Sequence, residues 1–96
     1  MTRSAIISGG GIGGLATAAA LGQRGWDVTV YERQPELRAA GSGIYIWENG
    51  LRVLESLGAY EEATEGAFRG THFEQRDNLN GIIESAPIAA DKRLLT

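Results

Sequence analysis

Five glycines and one isoleucine occupy positions 9 to 14, and this cluster constrains the fold more than any other part of the sequence. A short β-branched run, Ala5-Ile6-Ile7, precedes the cluster, and an alanine-rich segment, Leu15 to Arg24, follows it. The first run is typical of a buried strand and the second of a helix, for which Gly25 supplies a stop signal. A flexible linker is the alternative for the glycines, but a linker is not expected between a strand and a helix.

A second β-branched run, Val28 to Tyr31, follows the predicted helix and leads into Glu32. Strand, glycine turn, helix and strand together have the length of one βαβ unit, in which the strands are parallel and the crossover is right-handed. A chain of 96 residues has room for one small domain. The sequence therefore predicts an α/β fold that begins with a Rossmann-like βαβ unit.

The glycine cluster contains the pattern G-x-G-x-x-G at Gly9, Gly11 and Gly14. The first glycine permits a sharp turn off the strand, the second lets a diphosphate approach the backbone, and the third lets the helix pack on the strand. The free N–H groups at the helix start then face the phosphate charge. Glu32, at the end of the second strand, is placed to accept hydrogen bonds from a ribose and disfavours NADP. The alternative is that Glu32 is a solvent-exposed residue at the end of the strand and binds no ligand.

The second half of the chain predicts a helix and a β-hairpin. Leu51, Val53, Leu54 and Leu57 have helical spacing, and Gly58 is placed to end that helix. Two β-branched or aromatic runs between residues 70 and 85 flank Asn80-Gly81, a pair typical of a type I′ turn. Residues 86–96 show no pattern, and Glu48 and Glu55 are expected to face water.

The composition excludes several classes of site. There is no cysteine, which excludes disulfide scaffolds and thiolate chemistry, and the one histidine, His72, is expected to be structural. The formal net charge of −3 speaks against a nucleic-acid partner. No segment is long and apolar enough to span a membrane, and a cytoplasmic location is expected. No residue is assigned to catalysis or to a metal.

With these residues in view, the chain resembles the N-terminal part of flavin-dependent aromatic-ring hydroxylases, a family that includes para-hydroxybenzoate, salicylate and urate hydroxylases. The resemblance rests on the βαβ segment, on Glu32-Arg33, and on Gly41-Ser42-Gly43-Ile44 leading to Asn49 and Leu57-Gly58. Against the family pattern, Glu48 stands where proline is usual, and no Asp-Gly or Gly-Asp pair occurs anywhere.

The resemblance implies a truncated FAD-binding domain over residues 1–96, in which a helix and a β-hairpin follow the βαβ unit. Residues 1–34 form the dinucleotide-binding unit, 35–69 the flavin-side loop and helices, and 70–86 the hairpin. It implies FAD as cofactor, NADH or NADPH as reductant, and an aromatic substrate hydroxylated with oxygen. The FAD diphosphate would contact Gly9, Gly11, Ile12, Gly13 and Gly14, and Glu32 would hold the ribose. Arg33 would lie at the adenine end, and Gly41, Gly43 and Ile44 near the flavin.

Two other functions stay open from the sequence. The βαβ unit is also typical of an NAD-binding module in a dehydrogenase or in another two-dinucleotide-binding flavoprotein. A non-catalytic remnant that keeps the fold without the cofactor is the third interpretation. The chain is expected to be the front part of a longer enzyme, inactive alone, and to self-associate or to pair with the missing part because its sheet is left open.

Overall fold

The computed structural model describes residues 2–37 and 43–96 and divides the chain into two compact units, Met1–Gly41 and Ser42–Thr96. The predicted mixed α/β fold is confirmed. In the described part of the chain, no helix has both the length and the apolar character that crossing a membrane requires.

The first unit is a βαβ motif. Strand β1 covers Ser4–Ser8, helix α1 Ile12–Gln23 and strand β2 Asp27–Tyr31. The two strands pair in parallel, with Ala5 opposite Val28 and Ile7 opposite Val30. These four apolar side chains are half-buried, and they alternate with the exposed side chains of the opposite sheet face.

Helix α1 begins at Ile12, three residues before the Leu15 expected from the sequence, and ends at Gln23. Gly13 and Gly14 therefore lie inside the helix although glycine is a poor helix former. Packing of the first helical turn against the end of β1 outweighs this intrinsic preference. The stop expected at Gly25 is confirmed, since this residue has φ +81°, which disfavours any side chain.

The second unit contains the remaining elements: β3 (Ile46–Trp47), α2 (Glu48–Ser56), α3 (Tyr60–Ala63), β4 (His72–Arg76), β5 (Ile82–Pro87) and β6 (Leu94–Leu95). Strand β3 pairs antiparallel with β6, and β4 pairs antiparallel with β5. Among the described residues, Leu51, Leu94 and Leu95 are the buried hydrophobic side chains. The buried side chains of this unit therefore come from α2 and β6.

The predicted hairpin is confirmed, but its turn type is not. Residues 77–81 form the loop, in which the Asp77 carboxylate accepts from the N–H groups of Leu79 and Gly81 at 2.9 and 2.7 Å. Asn80 has φ +67°, whereas the φ of Gly81 lies outside the left-handed region. A type I′ turn needs positive φ at both residues, so the carboxylate, not the Asn-Gly pair, organises this loop.

Strand β6 was not expected, because residues 86–96 carry no local pattern. Leu94 and Leu95 pair with Trp47 and Ile46, almost half the chain away, and Leu95 also forms a bridge with Arg69. Such a partner cannot be inferred from the sequence near residue 94, because a two-residue strand has no periodicity of its own.

Candidate functional site

The glycine turn lies at the carboxyl end of β1. The N–H of Gly9 donates to the carbonyl of Tyr31 at 2.7 Å, which ties the turn to the end of β2. Gly9 has φ +110°, a conformation that L side chains rarely adopt. Gly11 is the N-cap of α1, and no side chain caps the helix there. The first N–H groups of α1 are therefore free to bind an anion.

The space that a Cβ would have at each glycine shows which glycine is needed for packing and which leaves room for a ligand. A Cβ at Gly14 would lie 2.0 Å from the carbonyl oxygen of Gly9, so only glycine allows this helix–turn contact. A Cβ at Gly11 or Gly13 would meet no atom within 4 Å. Gly14 is thus required by the fold, while the space next to Gly11 is open to a ligand.

A cavity of about 450 Å³ lies between the glycine turn and the segment after β2. Its described lining residues come from the turn and first helical turn (Gly10, Gly11, Ile12, Leu15) and from the segment after β2 (Glu32, Gln34, Glu36, Leu37). The Glu32 carboxylate accepts a long hydrogen bond, 3.5 Å, from the N–H of Gly10. The acid at the strand end and the uncapped helix start therefore face one cavity.

The structure brings some of the predicted site residues to one cavity, and the others are not among its described lining residues. Gly11, Ile12 and Glu32 line the cavity, and Gly9, Gly13 and Gly14 form the turn and helix start beside it. Arg33 is not among the described lining residues. Gly43 and the half-exposed Ile44 belong to the second unit, and Gly41 lies outside the described residues.

Sequence reasoning missed five lining residues: Gly10, which lies inside the glycine cluster, and also Leu15, Gln34, Glu36 and Leu37. Leu15 follows the glycine motif directly, so it could have been predicted as a lining residue from its position on the first helical turn. Gln34, Glu36 and Leu37 follow Glu32 in irregular backbone, where no periodicity in the sequence indicates which way a side chain points.

The donor set fits the diphosphate and ribose of a dinucleotide. A diphosphate needs N–H donors and close backbone approach, which the uncapped α1 start and the open space at Gly11 supply. A ribose needs an acceptor for its hydroxyl groups, and the Glu32 carboxylate faces the same cavity. These residues would hold such a ligand.

A second feature, in the second unit, is an ion-pair cluster that fixes the strand β6. The Arg93 guanidinium donates to both Glu48 carboxylate oxygens at 2.8 Å, its backbone N–H donates to one of them at 2.9 Å, and it also pairs with Glu55. Arg93 also lies over the Tyr60 ring, 5.4 Å from its centroid. The expectation that Glu48 faces water was wrong: its side chain is 19% exposed, because Arg93 supplies two parallel charged hydrogen bonds.

This cluster is expected to make the second unit sensitive to acid. Hydrogen bonds from the Arg93 side chain hold the pKa of Glu48 at about 2, below its ordinary value of 4.5. The folded chain then binds fewer protons than the unfolded one, so the stabilisation is complete above pH 4.5 and lost as the pH falls toward 2. We expect Glu48→Gln to lower the melting temperature near neutral pH and to flatten its decline over this acid range, measured by circular dichroism.

Glu62→Gln, on the exposed side of α3, is the matched control and should keep the wild-type acid decline. Parallel pH curves for wild type and Glu48→Gln would contradict the assignment of this pKa to the Arg93 contact.

Comparisons with known proteins agree with this geometry. The family described as "FAD dependent oxidoreductase" matches residues 4–79. A 2-heptyl-3-hydroxy-4(1H)-quinolone synthase of Mycobacteroides abscessus is 48% identical over 67% of the chain. The structure of 2-methyl-3-hydroxypyridine-5-carboxylic acid oxygenase, in a tetrameric form, covers 97% of the chain with a TM-score of 0.82 and 42% identity. Other relatives include hydroxylases of substituted benzoates.

One similar structure was determined with ligands. HpxO of Klebsiella pneumoniae, complexed with FAD and uric acid, covers 98% of the chain with a TM-score of 0.69 and 30% identity. The chain spans 25% of the two solved structures and 17% of the quinolone synthase. Each of these proteins is longer than the chain, and the two units described above correspond to about a quarter of its length or less.

Proposed function

Because the chain belongs to the FAD dependent oxidoreductase family, we propose that its first unit binds FAD through the diphosphate and the adenosine ribose. The observation that carries this proposal is the uncapped start of α1 and the Glu32 carboxylate facing one cavity. Gly9, Gly11, Ile12, Gly13 and Gly14 form the diphosphate cradle. Glu32 accepts from the ribose hydroxyl groups, and its charge disfavours a ribose that carries a 2′-phosphate.

Four further residues belong to the proposal. Arg33 lies at the adenine end, and Gly41, Gly43 and Ile44 lie near the flavin. The proposal also divides the chain by function into a dinucleotide-binding unit (1–34), a flavin-side loop with helices (35–69) and a hairpin (70–86). The similarity to FAD-dependent relatives over nearly the whole chain supports these assignments.

We propose that the chain is the FAD-binding N-terminal part of a monooxygenase that hydroxylates an aromatic or related ring with NAD(P)H and oxygen. Bound FAD would supply the electron transfer and the oxygen chemistry. The residues of this chain position the cofactor by its diphosphate and ribose and contribute no reacting group. The relatives named for a quinolone product, a hydroxypyridine carboxylic acid and a hydroxybenzoate support this class of reaction.

Self-association, or pairing with further parts of the enzyme, is also part of the proposal. Ile6 and Tyr31, on the face of the β1–β2 sheet that α1 does not cover, are 76% and 63% exposed. A two-stranded sheet with exposed apolar side chains and open edges gains stability when another polypeptide covers it. The cytoplasmic location stays a prediction.

The ribose assignment predicts the effect of one isosteric change. Glu32→Gln should weaken FAD binding by at least about tenfold, because hydrogen bonds to a charged group contribute roughly 1.5–3 kcal/mol each. Equilibrium dialysis of the wild-type and variant chains against FAD measures this effect. Glu62→Gln is the control and should bind FAD like the wild type.

Equal FAD affinity of wild type and Glu32→Gln would contradict the ribose contact. Saturable binding of NADH to a chain that does not bind FAD would favour the NAD-binding module instead. A chain that binds neither dinucleotide would favour the non-catalytic remnant.

A further inference from the structure

The Asn80-Gly81 pair in the hairpin loop brings a nucleophile and an electrophile next to each other. The nucleophile is the backbone nitrogen of Gly81, and the electrophile is the side-chain amide carbon of Asn80. Glycine has no side chain that hinders their approach. Residues 71–85 are all exposed, so water reaches the pair and a small leaving group can depart from it.

The Asp77 carboxylate contacts the nucleophile. Its Oδ1 accepts a hydrogen bond from the backbone N–H of Gly81 at 2.7 Å. The backbone N–H of Asp77 donates to the carbonyl of Gly81 at 2.9 Å, so the two residues are joined at two points. A carboxylate that already accepts this hydrogen bond is placed to remove the proton as the nitrogen attacks. The N–H lies in the peptide plane and the attack comes from above that plane, so the base and the electrophile need different positions.

The Arg76 guanidinium contacts the electrophile. Its Nη1 donates to the side-chain oxygen Oδ1 of Asn80 at 3.0 Å and to the backbone carbonyl of Asn80 at 3.3 Å. An ion pair with Glu74 through Nε fixes the guanidinium from the other side. A cation at Oδ1 polarises the amide and stabilises the negative charge that this oxygen gains when the nitrogen adds.

We propose that this loop is a self-modification site, at which Asn80 loses ammonia and forms a succinimide with Gly81. The Gly81 nitrogen forms a bond to Cγ of Asn80 while Asp77 takes its proton. The bond between Cγ and Nδ2 then breaks, and the amide leaves as ammonia with that proton. Water hydrolyses the ring at either carbonyl and leaves aspartate or isoaspartate at position 80. The reaction thus adds a negative charge to the loop, and isoaspartate also lengthens the backbone by one carbon.

The rate in the folded chain, compared with that in a short peptide, tests the proposal. The full chain and a synthetic peptide of residues 75–84 are incubated in the same neutral buffer. Cleavage after Glu74 and Glu84 at acidic pH releases the same segment from the chain, and mass spectrometry with fragmentation measures the conversion at Asn80. Asn78, which precedes a leucine in the same loop, is the internal control.

We expect Asn80 to convert at least about tenfold faster in the folded chain than in the peptide, because positioned acid and base groups contribute roughly 10²–10⁴-fold. In the chain unfolded with urea, the rate should fall to that of the peptide in the same urea. Asn78 should stay intact over the same period.

Two variants test the two contacts separately. Asp77→Asn keeps a hydrogen-bond acceptor and removes the base, and Arg76→Gln removes the cation. Each should slow the conversion by at least about tenfold. Because they act on different atoms, Arg76→Gln tests the proposal even if Asp77→Asn disturbs the loop. Arg52→Gln removes the same charge from α2 and is the control, which should convert like the wild type.

A folded chain that converts no faster than the peptide would overturn the proposal, because the loop would then protect Asn80. Equal conversion of Asn78 and Asn80 would overturn it as well, since the reaction would then be unrelated to the contacts of Asn80. A wild-type or higher rate in Asp77→Asn or in Arg76→Gln would show that the contact in question does not promote the attack. The experiment contains no FAD, so its outcome is independent of the proposed function.

Discussion

Gly14→Ala is expected to destabilise the first unit more than any other single methyl addition to the glycine turn. The added Cβ would lie 2.0 Å from the carbonyl oxygen of Gly9, and a backbone atom cannot move away as a flexible side chain can. Separating α1 from the turn should cost at least about 3 kcal/mol, the upper part of the usual range for overpacking. The melting temperature should fall by roughly 12 °C or more, since a domain of this size loses about 4–8 °C per kcal/mol.

Gly22→Ala is the matched control, because it adds the same methyl group to the same helix where no atom lies within 4 Å. It should raise the unfolding free energy by roughly 0.5–1 kcal/mol, since alanine is the better helix former. Thermal unfolding followed by circular dichroism compares the two variants. Equal melting temperatures for Gly14→Ala and wild type would mean that α1 does not pack on the turn as described.

Gly11→Val should abolish FAD binding while leaving the fold in place. Gly11 has φ −74° and ψ −176°, an extended conformation that valine adopts readily, and a Cβ there meets no protein atom within 4 Å. The valine side chain would instead occupy the space through which the diphosphate approaches the backbone. Loss of several charge-assisted N–H contacts should weaken binding by at least about a hundredfold.

Two measurements separate binding from folding in this variant. Equilibrium dialysis against FAD gives the affinity, and denaturant unfolding should show a change of less than about 1 kcal/mol, the cost of a poorer N-cap residue. Gly22→Ala should keep the wild-type affinity. If Gly11→Val binds FAD like the wild type, the turn does not hold the diphosphate.

Together these variants assign different tasks to two glycines of one motif. A loss of FAD binding in Gly14→Ala follows from loss of the fold, whereas a loss in Gly11→Val with normal unfolding follows from a blocked site. The pair therefore tests the helix–turn packing and the diphosphate cradle independently.

The βαβ unit could be predicted from the sequence because its signals are local. Each strand has its own β-branched run, the helix has its own alanines, and the glycine motif lies between them. Only the start of α1 was placed wrongly, because Gly13 and Gly14 disfavour a helix by propensity and are held in it by packing on β1.

The second unit was predicted less completely because its stabilising contacts are distant in sequence. Arg93 and Glu48 are 45 positions apart, and nothing near either residue indicates the other. The loop of the hairpin depends on where the Asp77 carboxylate points, which the Asn80-Gly81 pair does not reveal. The ring contact between Trp47 and Phe73 likewise joins residues that are far apart in the sequence.

The sequence by itself determined the order strand, glycine turn, helix, strand and the presence of an acid at the end of the second strand. These features follow from backbone conformation and hydrophobic periodicity, which act between neighbouring residues. Tertiary structure alone decided that Glu32 faces the same cavity as the start of α1, that Leu94 and Leu95 form a buried strand, and that Arg93 pairs with Glu48. Each of these depends on side chains far apart in the chain, whose approach is set by packing.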